Sequence, residues 1–76
     1  MPTPLSQKIA TSDDMGQLIL DRRRAIRMSQ EVLASLSGIA QPNLSKIERG
    51  QGSAQLDTYL RLLSVIGVDL FGQARS

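Results

Sequence analysis

The chain has no cysteine and no histidine. That excludes disulfides, Cys/His zinc sites, a thiol nucleophile and an imidazole base. No run of 18 apolar residues occurs, so no segment is expected to cross a membrane. The N-terminus lacks an apolar signal core and a cleavage-like site, so secretion is not expected. Together these absences predict a protein of the reducing cytoplasm. Seven carboxylates are present, but nothing groups a general base with a nucleophile. Neither an enzyme nor a small-molecule substrate is expected, and no metal or cofactor.

At 76 residues there is material for one domain. A domain this small buries only about 60% of the surface its unfolded chain exposes, so area added by a second copy would help. Net charge is a modest +2, but seven of the nine basic residues are Arg, and four of those are Arg22, Arg23, Arg24 and Arg27. Arginine suits forked contacts with phosphate. A solvated helix end is an equally good account of the cluster.

Residues 1–12, with two prolines and no period, read as a flexible arm. Ser12 followed by Asp13 and Asp14 reads as a capped helix start. Met15, Leu18, Ile19 and Ile26 then hold one face of a first helix from Asp13 to Ile26, with Ala25 and the stem of Arg22 filling the period. Ser29-Gln30-Glu31 opens a second helix, with Val32, Leu33 and Leu36 as its apolar face and Gly38 as its stop. A third helix runs from Gln41 to about Arg49. Pro42 fits its first turn, Ile39 and Leu44 are spaced as a hydrophobic staple, Ile47 shares the face of Leu44, and Gly50 stops it. Ser53 is the expected cap of a fourth helix, whose stripe is Leu56, Tyr59, Leu60, Leu62, Leu63 and Ile66, ended by Gly67. Residues 13–67 form the domain. The tail, residues 68–76, could form a short strand, and a lone strand at a chain end needs a partner.

Gln30 to Gly50 is the informative stretch. Two short helices joined by a glycine-containing turn must cross steeply, and that crossing demands a small Ala34 along with Gly38. Arg23, Ser29-Gln30, Leu33-Ala34, Gly38-Ile39 and Leu44-Ser45-Lys46-Ile47-Glu48-Arg49-Gly50 resemble, at their spacings, the phage-repressor/Cro-like (Xre-type) helix-turn-helix family. The resemblance implies an all-α, lambda-repressor-like bundle of four to five short helices that binds double-stranded operator DNA. The third helix would lie in the major groove. Gln41 would read adenine, with Pro42, Asn43, Ser45 and Lys46 as further base readers. Without DNA these five are simply the polar face of an exposed helix. Gln30 would contact phosphate and buttress the recognition helix. Ser29 would cap its helix first and touch phosphate second. Arg23 and Glu48 would bridge the first and third helices, with Arg23 also counted among the phosphate contacts beside Arg24, Arg27 and Arg49. The family commonly has Gly near Arg27, and Ser or Thr where this chain has Ala40, which cannot cap.

The run from Leu56 to Leu70 resembles HipB-type antitoxins, in which a short strand after the fourth helix pairs with its copy. That implies a homodimer on an inverted repeat, with Leu60, Leu63, Ile66, Val68, Leu70 and Phe71 either at the interface or in the chain's own core. It also implies a repressor of its own operon that holds a HipA-like kinase toxin. A plain phage-type or restriction-control-type regulator without a toxin is the alternative, as is a subunit whose main work is holding a kinase.

Overall fold

The computed structural model describes residues 7–52 and 54–75. Four helices carry the fold: α1 Ser12–Ala25, α2 Gln30–Ser37, α3 Gln41–Glu48 and α4 Leu56–Val65. The all-α helix-turn-helix architecture expected from the sequence is the one observed. No strand occurs among the described residues, and 68–75 run on as coil in the single chain.

The start of α1 is set by Thr11, not by Ser12. Thr11 is extended and its hydroxyl accepts the Asp14 N–H at 3.0 Å. The Asp14 carboxylate in turn accepts the N–H groups of Ala10 and Thr11 at 2.9 and 3.2 Å. This reciprocal box needs an acceptor three residues past the cap. From Thr11 that residue is Asp14; from Ser12 it would be Met15, which has none to offer. Of the expected arm, residues 1–6 lie outside the described residues, while Ile9 packs half-buried against the core. Ser29 caps α2 as expected, accepting the Val32 N–H at 3.1 Å. The cap expected at Ser53 lies outside the described residues. α4 starts after Gln55, and the Ala54 N–H donates to the Tyr59 hydroxyl at 3.3 Å.

Each helix gives two residues to the core: Met15 and Ile19, Leu33 and Ala34, Leu44 and Ile47, Leu62 and Leu63, with Ile66 just past α4. Burying a side chain of this size stabilises by about 1.5–3 kcal/mol. α3 packs on both α1 and α2, and α2 on α4. Several residues expected inside are outside: Ile26, Val32, Leu36, Leu56 and Leu60 are all exposed, Leu36 by 62%. In α2 the inward stripe is Leu33, Ala34 and Ser37, which turns the neighbouring Val32–Leu36 stripe to solvent. Ser37 can stand in the core because its hydroxyl donates to Leu33 O at 2.7 Å, which satisfies the group locally. Ile26 is displaced for another reason. It is the C-cap of α1, already leaving helical geometry.

Two backbones approach each other closely at Gly16. A Cβ there would land on the carbonyl oxygen of Ile47. Only glycine lets α1 lie this close to the C-terminal end of α3, which brings Arg23 of α1 up to Glu48.

Candidate nucleic-acid interface

α3 is divided lengthwise. Leu44, Ile47 and Glu48 face inward, Ser45 is half-buried, and Gln41, Pro42, Asn43 and Lys46 are exposed, with Arg49 exposed just past the end. The spacing 42, 46, 49 is one helical face, and Gln41 and Asn43 widen it at the N-terminal end. All five expected base readers are therefore on one element, though Ser45 stands back from the other four. The turn before α3 has the expected hinge: Gly38 takes φ 73°, with nothing within 4 Å of where a Cβ would stand.

Ala40 gives α3 no side-chain cap. As expected of a residue that cannot cap, the N–H groups of Ala40 and Gln41 have no partner among the described residues. Pro42 has no N–H, and those of Asn43 and Leu44 both reach Ala40 O, at 2.9 and 3.0 Å. The Leu44 bond is the ordinary first bond of the helix, so two of the four donors that a helix start orphans, those of positions 42 and 43, are absent or paired.

Behind the exposed row runs a chain of polar contacts. Arg23 grips Glu48 with two parallel hydrogen bonds, Nε to Oε2 at 2.8 Å and Nη2 to Oε1 at 2.9 Å. Its Nη1 donates to Met28 O at 3.0 Å. The Gln30 amide donates to Glu48 Oε1 at 3.0 Å, and the Gln41 amide donates to Gln30 Oε1 at 3.3 Å. The side chains of Arg23 and Glu48 are only 12% and 4% exposed. The hydrogen bonds to Glu48 raise the Arg23 pKa above its ordinary value despite partial desolvation, so the guanidinium stays charged. Of the two roles expected for Arg23, the geometry contains the structural one. Its Nε, Nη1 and Nη2 are all engaged inside the chain, which leaves Arg24, Arg27 and Arg49 as the exposed members of the four arginines expected on phosphate. Gln30 does buttress α3, touching the residue at each end of it. Gln41 spends one amide hydrogen on this brace, and its oxygen and second N–H have no hydrogen-bond partner among the described residues.

Two residues that position this surface were not singled out from sequence for what they do. Gly16 drew no reading, although glycine inside a helix costs about 1 kcal/mol relative to alanine and is a signal of close approach. Arg22 was read for its stem. Its Nε also donates to Ile66 O at 2.8 Å, fastening the carbonyl end of α4 to α1, where a cation is favoured.

The expected dimer residues separate into two sets. Leu63 and Ile66 are 1% exposed and are corrected to intrachain core, because α4 points its Leu62–Leu63–Ile66 stripe inward. Val68 packs half-buried on that core. Leu60, Leu70 and Phe71 remain open to solvent, Phe71 by 73%. Among the described residues no three His, Cys, Asp or Glu gather as a metal site, and no helix is long and apolar enough to cross a membrane.

With this arrangement in view, residues 19–72 match the helix-turn-helix family. The chain belongs to that family. An uncharacterised HTH-type transcriptional regulator of Haemophilus influenzae is 40% identical over 52 residues, which are 68% of this chain and 53% of that protein. The chain thus spans about half the length of this relative. The restriction-modification controller protein C.AhdI of Aeromonas hydrophila superposes with a TM-score of 0.72 at 33% identity, over 76% of this chain and 88% of its own. HipB in the HipA-HipB-O2-O3 complex superposes with a TM-score of 0.82 over 93% of this chain and 100% of its own, at 21% identity, a likeness of fold.

Proposed function

We propose that the chain is a transcriptional regulator that binds duplex DNA sequence-specifically, as a homodimer on an inverted repeat. The observation that carries this reading is the outward row Gln41, Pro42, Asn43 and Lys46. It is braced from behind by Gln30 and Glu48 and left exposed by the described residues of its own chain. A helix seated in the major groove presents its N-terminal residues to base edges. Gln41 and Asn43 carry the paired donor and acceptor that adenine presents in reverse, and Lys46 reaches guanine or phosphate. Arg24, Arg49 and the N-terminal end of α2, with Ser29 and Gln30, supply backbone contacts. Leu60, Leu70 and Phe71 join two copies, with the tails pairing as strands and the two α3 helices about 34 Å apart.

Fluorescence anisotropy on the duplex upstream of the chain's own gene tests this against scrambled DNA. The expected result is tighter binding to the native duplex, a preference that Gln41→Ala relaxes, and an equal loss on all sequences for Arg24→Ala. Equal affinity for native and scrambled duplex removes sequence reading.

A second reading makes the same protein an antitoxin of HipB type that also holds a HipA-like kinase toxin. Favouring it is the HipB superposition, which extends over 93% of the chain where that of C.AhdI stops at 76%. Co-expression with a kinase encoded beside it should give a complex that survives gel filtration. Separate elution leaves the plain regulator.

A further inference from the structure

Each of the four helices has a residue in the left-handed region within two positions of its end. After α2, α3 and α4 it is glycine: Gly38, Gly50 and Gly67, at φ 73°, 71° and 72°. After α1 it is Arg27, at φ 57°. The closure at α1 is the same as that at α4. The N–H groups of Arg27 and Met28 reach Arg24 O and Arg23 O at 3.0 and 2.9 Å; those of Gly67 and Val68 reach Ser64 O and Leu63 O at 3.4 and 2.9 Å. Equal geometry makes an equal demand on the backbone, one that glycine meets freely and a residue with a Cβ meets under strain. No side-chain bond among the described residues offsets that strain at Arg27. Its side chain is exposed, and among the described residues its guanidinium has no ion pair or hydrogen bond.

Strain held at one position by a solvent-facing functional group is a mark of a ligand contact. Arg27 stands three residues before Gln30, whose amide touches Gln41 at the opening of α3. Three residues span at most about 11 Å, and the major groove that would receive α3 is about 12 Å wide between its phosphate ridges. We propose that Arg27 is a contact to the phosphate backbone of DNA for which the fold gives up stability at the α1–α2 corner. The proposal rests on the duplex-binding reading above and adds to it a residue whose side chain and backbone pull in opposite directions.

The test compares Arg27→Gly and Arg27→Lys with the parent, by thermal melting and by duplex affinity between about 50 and 200 mM salt. Arg27→Gly should melt no lower than the parent yet bind several-fold more weakly. Its plot of log affinity against log salt should be shallower by about 0.9 for each protomer bound. Arg27→Lys should keep the parent's slope. An Arg27→Gly protein with the parent's affinity and slope overturns the proposal. So does one that melts clearly lower, since Arg27 would then serve the fold. A parent that shows no salt-dependent duplex binding removes the DNA reading itself, an outcome distinct from a variant that binds as the parent does.

Discussion

Truncating Arg23 and truncating Glu48 break the same ion pair, but the structure predicts unequal losses. In Glu48→Ala the guanidinium of Arg23 keeps its bond to Met28 O, and its long stem can swing the charge toward water. In Arg23→Ala the Glu48 carboxylate, 4% exposed, keeps only the Gln30 amide and cannot reach solvent unless the end of α3 unwinds. Breaking a buried pair from one side costs about 3–5 kcal/mol. Glu48→Ala belongs at the lower end of that range and Arg23→Ala at or above the upper end. A domain of 76 residues has about 4–11 kcal/mol in all, so Arg23→Ala should remove roughly half of its stability or more. Urea denaturation followed by circular dichroism measures both, the midpoints being compared at a common slope. Equal losses, a larger loss for Glu48→Ala, or a loss below about 1 kcal/mol in either would refute the buried-pair argument. The last result would make the pair an ordinary surface bridge.

Other substitutions probe the remaining joints. Gly16→Ala sets a methyl group against backbone rather than against a movable side chain. It should destabilise by about 1–3 kcal/mol or more, whereas alanine at an open helical site stabilises; a higher melting temperature contradicts the close approach of α1 and α3. Arg22→Met keeps the stem and removes the bond to Ile66 O. A loss of about 1–2 kcal/mol is expected in chemical denaturation, and no loss would mean that water replaces the guanidinium without cost. Phe71→Asp replaces an exposed apolar ring with a charge. If the proposed dimer forms through this tail, sedimentation should show a smaller species than the parent at the same concentration. A Phe71→Asp protein that stays dimeric places the interface elsewhere.

What could be read in the sequence was what is decided locally. Ser29 as a cap, Gly38 and Gly50 as stops and Pro42 in a first turn depend on a few neighbouring residues, and all stand where they were expected. The Arg23–Glu48 pair came from the resemblance, and the structure bears it out. Helix faces fared worse where the helix was short. Eight residues of α2 hold barely two turns, and an apolar period built on Val32 and Leu36 is as regular as the true stripe, which includes Ser37. α4 misled in the same way at Leu56 and Leu60. Gly16 and Arg22 owe their roles to partners 31 and 44 positions away, Ile47 and Ile66, and nothing in their own neighbourhood announces those partners. The start of α1 was legible but was read one residue late, because Thr11 and Ser12 can both cap and only the acceptor at Asp14 distinguishes them.

The account stands or falls on which surface the duplex touches. An NMR titration of the labelled protein with the native upstream duplex locates it amide by amide. The expected shifts gather on residues 41–46 and on the corner from Arg27 to Gln30, while the buried side chains of Ile19, Leu62 and Ile66 stay put. Shifts that cluster on the exposed side of α4 and leave Gln41, Asn43 and Lys46 unmoved would contradict it.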